Sequence, residues 1–365
     1  MSKKYFKILL IISSITTAIV LALSVYNYFS FDKPFLNETT TGSLFSFTSM
    51  LALYFALFHD KDKWEYSQKT SEGFAIQRFL CYTRPMNTDL KPKLHRFAGV
   101  TAFACPICHA PLSLDGTSFK CPQHHSFDLA KFGYVHLAPQ IKQSQDYDKE
   151  NFQNRQLILE AGFYQHILDK LTDLLQSSSA QTILDVGCGE GYYSRNLQGR
   201  FPDKSFYAFD ISKDSVQLAA KSEPAWQVKW FVGDLTQLPI QTASMDMVLD
   251  IFSPANYGEF ARVLKKDGVI IKVVPTENHL KEIRHIVQDQ VQKKSYSNQD
   301  ILQHFEQHSQ VLTTETVSLT KTLTDEKKQA LLAMTPLLFH VDSSQIDWEQ
   351  LTEITIEASI LVGRI

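Results

Sequence analysis

The chain has 365 residues, 44% of them hydrophobic, and a formal net charge of −3. That length suits two or three domains, and the composition is that of a folded rather than a disordered chain; the near-neutral balance speaks against a strongly basic nucleic-acid-coating protein but leaves room for a local basic surface. The five cysteines, Cys81, Cys105, Cys108, Cys121 and Cys188, are odd in number and three crowd together, which speaks against a secreted disulfide framework and for a metal site in a reducing compartment.

In chain order, residues 8–31 carry no charge and are dense in Ile, Leu, Val and Ala, with Lys3, Lys4 and Lys7 before them. Such a run is long enough to cross a bilayer. A second uncharged run covers residues 42–58 and ends at Asp60-Lys-Asp-Lys63. Residues 1–60 are therefore expected to form two transmembrane helices. The preceding lysines place the N-terminus inside, so the rest of the chain returns to the cytoplasm, tethered to the membrane through residues 8–58. A cleaved signal peptide ranks lower, because it leaves the second run unexplained. A fused or mis-started reading frame is a third option. Residues 61–101 are polar and mixed, with Pro85 and Pro92 breaking any long periodicity, and are expected to be a linker with weak helix. Cys81 stands alone there.

Residues 102–140 contain Cys105-Pro-Ile-Cys108, a twelve-residue loop, then Cys121-Pro-Gln-His124-His125. A C-x2-C turn brings two thiolates to one ion, and a second knuckle completes a tetrahedron of the S/N kind that zinc favours. A closed four-ligand site has no open position for water, so its role is structural. The fourth ligand is one of His124, His125 and His109.

Residues 141–365 read as a doubly wound α/β domain. Thr182-Ile-Leu-Asp185-Val-Gly187-Cys-Gly189-Glu-Gly191 is a buried strand entering a glycine-rich turn, and a helix is expected from Tyr192. Glycines permit the tight turn and close approach to a ligand. The spacing is G-x-G-x-G, and Asp185 precedes it on the strand; this pattern receives the methionine and ribose part of S-adenosylmethionine. Strands at 205–210, 228–235, 245–254 and 268–275 follow. Asp210 suits the ribose hydroxyls and Asp234, with Leu235, the adenine. Each acid alone is as well read as a helix N-cap; three at successive strand ends after such a turn point to one site. Cys188 reads as a small turn-packing residue. Residues 311–323 and 352–363 alternate as strands do, supplying the antiparallel edge of a Rossmann-like, seven-stranded class I methyltransferase sheet.

These parts together identify a resemblance. From about Phe103 to the C-terminus, nearly three quarters of the chain resembles the bacterial 23S rRNA (guanine-N1)-methyltransferases that modify the helix 35 hairpin. The shared text is Cys105-Pro-Ile-Cys108, Cys121-Pro-Gln-His-His125-Ser-Phe-Asp128, Ala130-Lys-Phe-Gly133-Tyr-Val, Leu159-Glu-Ala-Gly162-Phe-Tyr164, Gly187-Cys-Gly-Glu-Gly-Tyr-Tyr193 and Met334-Thr-Pro336. The resemblance implies a zinc module that helps recognise RNA, ligated by Cys105, Cys108, Cys121 and His125. It implies cosubstrate contacts near Tyr164, Tyr193, Ser194 and His279. Some members carry a basic residue where Asp250 stands here, and Gram-positive members can contribute to macrolide resistance.

On this reading, Asp250 is expected to accept the guanine N1 proton. Phe252 and Tyr257 are expected to hold the unstacked base. Lys120, Lys131, Lys142 and Arg155 are expected on the RNA backbone, and an oligomer is compatible with the sequence. The rivals are a membrane-associated methyltransferase of a quinone or lipid, favoured by the apolar runs, and a non-catalytic zinc/RNA-binding protein, disfavoured by the intact glycine turn.

Overall fold

The chain divides into a unit Met1–Met86 and a unit Asn87–Ile365. The computed structural model describes residues 92–141, 149–290, 297–338, 341–342 and 346–365, all in the second unit. The two expected membrane spans, most of the expected linker, Cys81 and Lys142 lie outside the described residues. Among the described residues, no helix is long and apolar enough to cross a membrane.

A short helix α1 (Pro92–Arg96) leads into a three-stranded antiparallel sheet, β1 (Ser113–Asp115), β2 (Ser118–Lys120) and β3 (Ser126–Asp128). Strand β4 (Tyr134–His136) follows, then α2 (Lys149–Glu160) and α3 (Gln165–Gln176). The central layer alternates: β5 (Thr182–Val186), α4 (Tyr192–Arg200), β6 (Ser205–Asp210), α5 (Lys213–Lys221), β7 (Lys229–Val232), β8 (Met245–Ile251), α6 (Tyr257–Val263) and β9 (Leu264–Pro275). Helices α7 (Lys281–Ile286) and α8 (Gln299–His308), strand β10 (Gln310–Thr322), helix α9 (Asp325–Met334) and strand β11 (Glu353–Arg364) complete it.

The large sheet runs β10-β11-β9-β8-β5-β6-β7-β4. Strands β5 to β11 are the seven expected; β10 and β11 form the antiparallel edge. The third strand is shorter than its apolar text and the fifth is longer. The eighth strand corrects the expectation of seven: β4 pairs in parallel with β7, Tyr134 opposite Trp230 and His136 opposite Val232. An unpaired edge beside β7 would leave backbone donors and acceptors open, and the chain leaving the cysteine module covers it. Val186 and Leu249 in the central strands, like Ile183 and Val248, are buried on the two sheet faces, which is why these strands read as continuous apolar runs rather than alternating ones.

The cysteine module packs directly on one sheet face. Phe103 is fully buried and meets Phe119 at 5.1 Å, Tyr207 at 5.5 Å and Phe231 at 5.1 Å, each edge-on. Residues 92–101, expected as the end of a linker, belong to this folded body. The Arg96 guanidinium is fully buried; it donates to Glu223 at 2.7 Å and to the Gly133 carbonyl at 2.6 Å, and lies 4.6 Å over the Trp226 ring. A buried charge needs such partners, and only the folded chain brings them together.

Candidate functional site

Two sites assemble on this scaffold. In the first, the ligand atoms of Cys105, Cys108, Cys121 and His125 all lie within 4.8 Å of one another. Cys108 Sγ is 3.6 Å from Cys121 Sγ, and His125 Nδ1 is 3.5 Å from Cys105 Sγ and 3.3 Å from Cys121 Sγ. A tetrahedron with Zn–S of about 2.3 Å and Zn–N of about 2.0 Å needs sulfurs about 3.7 Å apart and S···N about 3.5 Å, so the donor set fits zinc. His109 and His124 are turn residues instead. Both have left-handed backbone, and their N–H groups donate to the Cys105 and Cys121 carbonyls, closing the two knuckles. His109 Nε2 lies 3.2 Å from the Gln237 side chain.

The second site lies at the C-terminal ends of β5, β6, β7 and β8, the end where open α/β sheets bind ligands. Asp185, on β5, is buried and accepts from Ser194 Oγ at 2.6 Å; burial pushes its carboxyl up to about 7. Ser194 sits in the first turn of α4, so this bond ties the strand to the helix. Asp210, ending β6, accepts from the Gly189 N–H at 3.0 Å and from the Ser212 N–H at 2.8 Å, which fixes the glycine turn against the next strand. Gly191 has φ +78°, and a side chain there would meet the Trp230 ring at 2.5 Å. Gly187 has φ +67°, and a side chain there would meet Ser253 at 2.6 Å. Both positions therefore demand glycine. Asp234 accepts from Thr236 N–H at 2.8 Å and Oγ1 at 2.6 Å, turning the chain after β7. The Leu235 carbonyl accepts from Asn256 at 3.1 Å. Beside it opens a cavity of about 480 Å³ lined by Leu235, Pro254, Tyr257, His304 and His308 among others.

Three rings distant in sequence meet at the rim. Tyr164, capping α3, is 5.9 Å from Phe252 and 6.1 Å from His279, and Phe252 is 5.6 Å from His279. Burial holds the Tyr164 phenol up at about 12, against the nearby Arg155. Tyr193 is buried with its hydroxyl unpartnered, an open donor that a ligand can satisfy.

Several expected residues stand elsewhere. Arg155, expected on RNA, forms an ion pair with buried Glu190 at 3.1 Å and lies 3.8 Å from where a Gly189 side chain would be. It is committed to the glycine turn. Lys120 pairs with Asp115 at 2.8 Å on an exposed hairpin, and Lys131 is exposed. Tyr257 stacks on His308 at 4.9 Å and 12° and lines the cavity beside Leu235. Asp250, expected as proton acceptor, is fully buried and ion-paired with Lys272 at 2.6 Å. Burial raises its carboxyl to about 7, against the pull of the Lys272 ammonium. Its other oxygen, Oδ1, is buried without a hydrogen-bond partner. Arg155 and Lys272 went unnoticed as parts of this site because an isolated charged residue in helix or strand text carries no local signal of its partner, and Glu190, inside the glycine turn, is partnered only by the distant Arg155.

Comparison with known proteins agrees with both sites. Residues 103–145 match a zinc-ribbon family described as RlmA, N-terminal, and residues 183–268 match a methyltransferase domain family. The domain's cosubstrate is S-adenosylmethionine and the ribbon's metal is zinc. A Bacillus subtilis protein named as a 23S rRNA (guanine-N(1)-)-methyltransferase, YxjB, is 33% identical over 284 residues, 74% of this chain and 99% of the relative. The 23S rRNA (guanine(748)-N(1))-methyltransferase of Streptomyces fradiae is 25% identical over 273 residues, 71% of this chain and 95% of the relative. A malonyl-[acyl-carrier protein] O-methyltransferase of Hahella chejuensis is 30% identical over 118 residues, 30% of this chain and 42% of the relative. With a relative of this identity matched almost end to end, and with the ribbon and the glycine turn both assembled, the chain belongs to the 23S rRNA (guanine-N1)-methyltransferase family.

Proposed function

We propose that the protein transfers the methyl group of S-adenosylmethionine to N1 of a guanine in the helix 35 hairpin of 23S rRNA. The observation that carries this reading is the construction of the zinc ribbon into the edge of the methyltransferase sheet through β4 and Phe103. A small-molecule methyltransferase has no evident use for such a module, whereas a ribbon rigidly joined to the sheet can hold a folded RNA hairpin in register with the methyl donor. The malonyl-carrier methyltransferase shares less than half of its own length with this chain.

In this reading the glycine turn with Asp185, Tyr193 and Ser194 receives the methionine part of the cosubstrate. Asp210 accepts from the ribose hydroxyls, and Asp234 with Leu235 borders the adenine. Tyr164 and His279 close over the sulfonium end. The methyl carbon is already activated by its positive sulfur, so the chain's task is alignment of N1, carbon and sulfur in line. The N1–C bond forms as the C–S bond breaks, the sulfur keeps the electron pair as neutral thioether, and the N1 proton passes to solvent water. Phe252, beside Tyr164 and His279, borders the place of the base. Lys120 and Lys131 face the RNA backbone from the ribbon side.

The test is methyl transfer from labelled S-adenosylmethionine to unmodified 23S rRNA, with the modified base mapped by reverse transcription and mass spectrometry. We expect 1-methylguanine in the helix 35 hairpin. A zinc-loaded, folded protein that binds the cosubstrate yet labels no rRNA would overturn the proposal and favour a small-molecule acceptor.

A further inference from the structure

The turn after β8 is strained, and a buried lysine from the neighbouring strand holds it. Phe252 has φ +55°, a left-handed conformation that a bulky side chain adopts only under constraint. Its N–H donates to the Val273 carbonyl at 3.0 Å. Lys272, on β9 and 3% exposed, donates to Asp250 Oδ2 at 2.6 Å and to the Ser253 carbonyl at 3.2 Å. Ser253 in turn lies against Gly187, so closely that no side chain fits between them. One ammonium thus links the end of β8, the turn that follows it and, through Ser253, the glycine turn. The ring carried by the strained residue is the one set against Tyr164 and His279.

We propose that Lys272 is a positioning residue for methyl transfer: bonded to Asp250 and to the Ser253 carbonyl, it locks residues 252–253 in the form that places Phe252 beside the reacting groups. This rests on the function proposed above. Asp250 accepts from the buried ammonium through Oδ2 and so aims it at the turn; it acts through Lys272 and not on the guanine proton. A strained turn relaxes once its anchor goes, and displacement of the ring by an ångström misaligns the acceptor without removing any group that touches it.

Three variants test it: Lys272→Met, Asp250→Asn and the double variant. Each is measured for melting temperature, zinc content, S-adenosylmethionine affinity, and kcat and KM on the rRNA hairpin across pH. Lys272→Met is expected to lose about 10²-fold in kcat. Asp250→Asn keeps an oxygen that accepts from Lys272, so it is expected to lose only about fivefold, with an unchanged pH profile. The double variant leaves no uncompensated buried charge and is expected to remain folded, yet to stay as slow as Lys272→Met because the Ser253 anchor is still missing. A double variant that melts like wild type and turns over at the wild-type rate would overturn the proposal. So would an Asp250→Asn protein that is inactive and has lost the limb of its pH profile, since that is the signature of a base. Wild-type protein inactive on the hairpin would instead defeat the function proposed above, and cosubstrate affinity across the variants reports whether the anchored turn is needed at the donor end.

Discussion

His279 Nδ1 lies 3.0 Å from the main-chain carbonyl oxygen of Glu357. A carbonyl only accepts, so Nδ1 carries the proton and Nε2 is left as a bare acceptor in the neutral ring. Burial depresses the His279 pKa from 6.5 to about 4, with the Glu357 carbonyl opposing. The histidine is therefore neutral in the folded protein at neutral pH, with Nε2 able to accept a hydrogen bond.

The first prediction concerns acid stability. Between pH 4 and 6.5 the unfolded chain protonates this histidine while the folded chain does not. The unfolded state binds more protons there, so this component of stability rises with pH through that window and is lost as pH falls. The raised carboxyls of Asp185 and Asp250 act in the opposite sense, so the comparison must isolate the histidine. His279→Asn is expected to lose less melting temperature than wild type between pH 7 and pH 5. It is also expected to bind S-adenosylmethionine more weakly. Identical pH dependence in the two proteins would show that His279 titrates normally.

Zinc removal is expected to separate the two sites. Metal affinity in a small ribbon is largely its folding energy, about 10–16 kcal/mol in peptide systems. Chelation, or Cys121→Ser, should disorder the segment between the knuckles and loosen Phe103 from the sheet. Methylation of rRNA should fall far more than cosubstrate affinity. Equal losses of both would mean that the ribbon serves only to stabilise the core; a wild-type methylation rate in zinc-free protein would remove it from RNA recognition.

Gly191→Ala should be severe. The new methyl would sit 2.5 Å from the Trp230 ring and 2.8 Å from Ala219, at φ +78°. Left-handed strain and overpacking together cost about 3 kcal/mol. Chemical denaturation should show that loss, accompanied by weaker cosubstrate binding because the turn is displaced. At Gly199, where a side chain meets nothing within 4 Å, the same change should leave cosubstrate affinity unaltered.

Arg96→Ala removes one partner of a buried pair whose side chains are 0% and 5% exposed. Leaving Glu223 uncompensated costs about 3–5 kcal/mol. Removing both charges with Arg96→Met and Glu223→Gln should recover part of it. The exposed Lys120–Asp115 pair is the contrast: Lys120→Ala should leave the denaturation midpoint unchanged and affect only RNA affinity.

What was legible in the residues is what depends on neighbours in the chain. The knuckle spacing, the glycine turn and the acids ending β6 and β7 are each written within a few positions, because a turn or a strand end is a local event. So are the strands themselves: Thr182–Val186 and Ser205–Asp210 lie where their apolar text places them. The choice of His125 over His124 and His109 was open from spacing. In the folded chain it is the His125 ring that comes to the thiols, with Nδ1 3.5 Å from Cys105 Sγ and 3.3 Å from Cys121 Sγ.

The sequence by itself determined the order of parts, the metal donors' chemistry and the cosubstrate end of the sheet. Tertiary structure decided the rest. It turned Arg155 toward Glu190, buried Asp250 against Lys272, brought Tyr164, Phe252 and His279 together, and spent the ribbon's last strand on the open edge of β7. The physical reason is common to all four. A buried charge, a ring or a strand edge acquires its partner only from residues distant in the chain, and which partner it finds depends on how the layers pack.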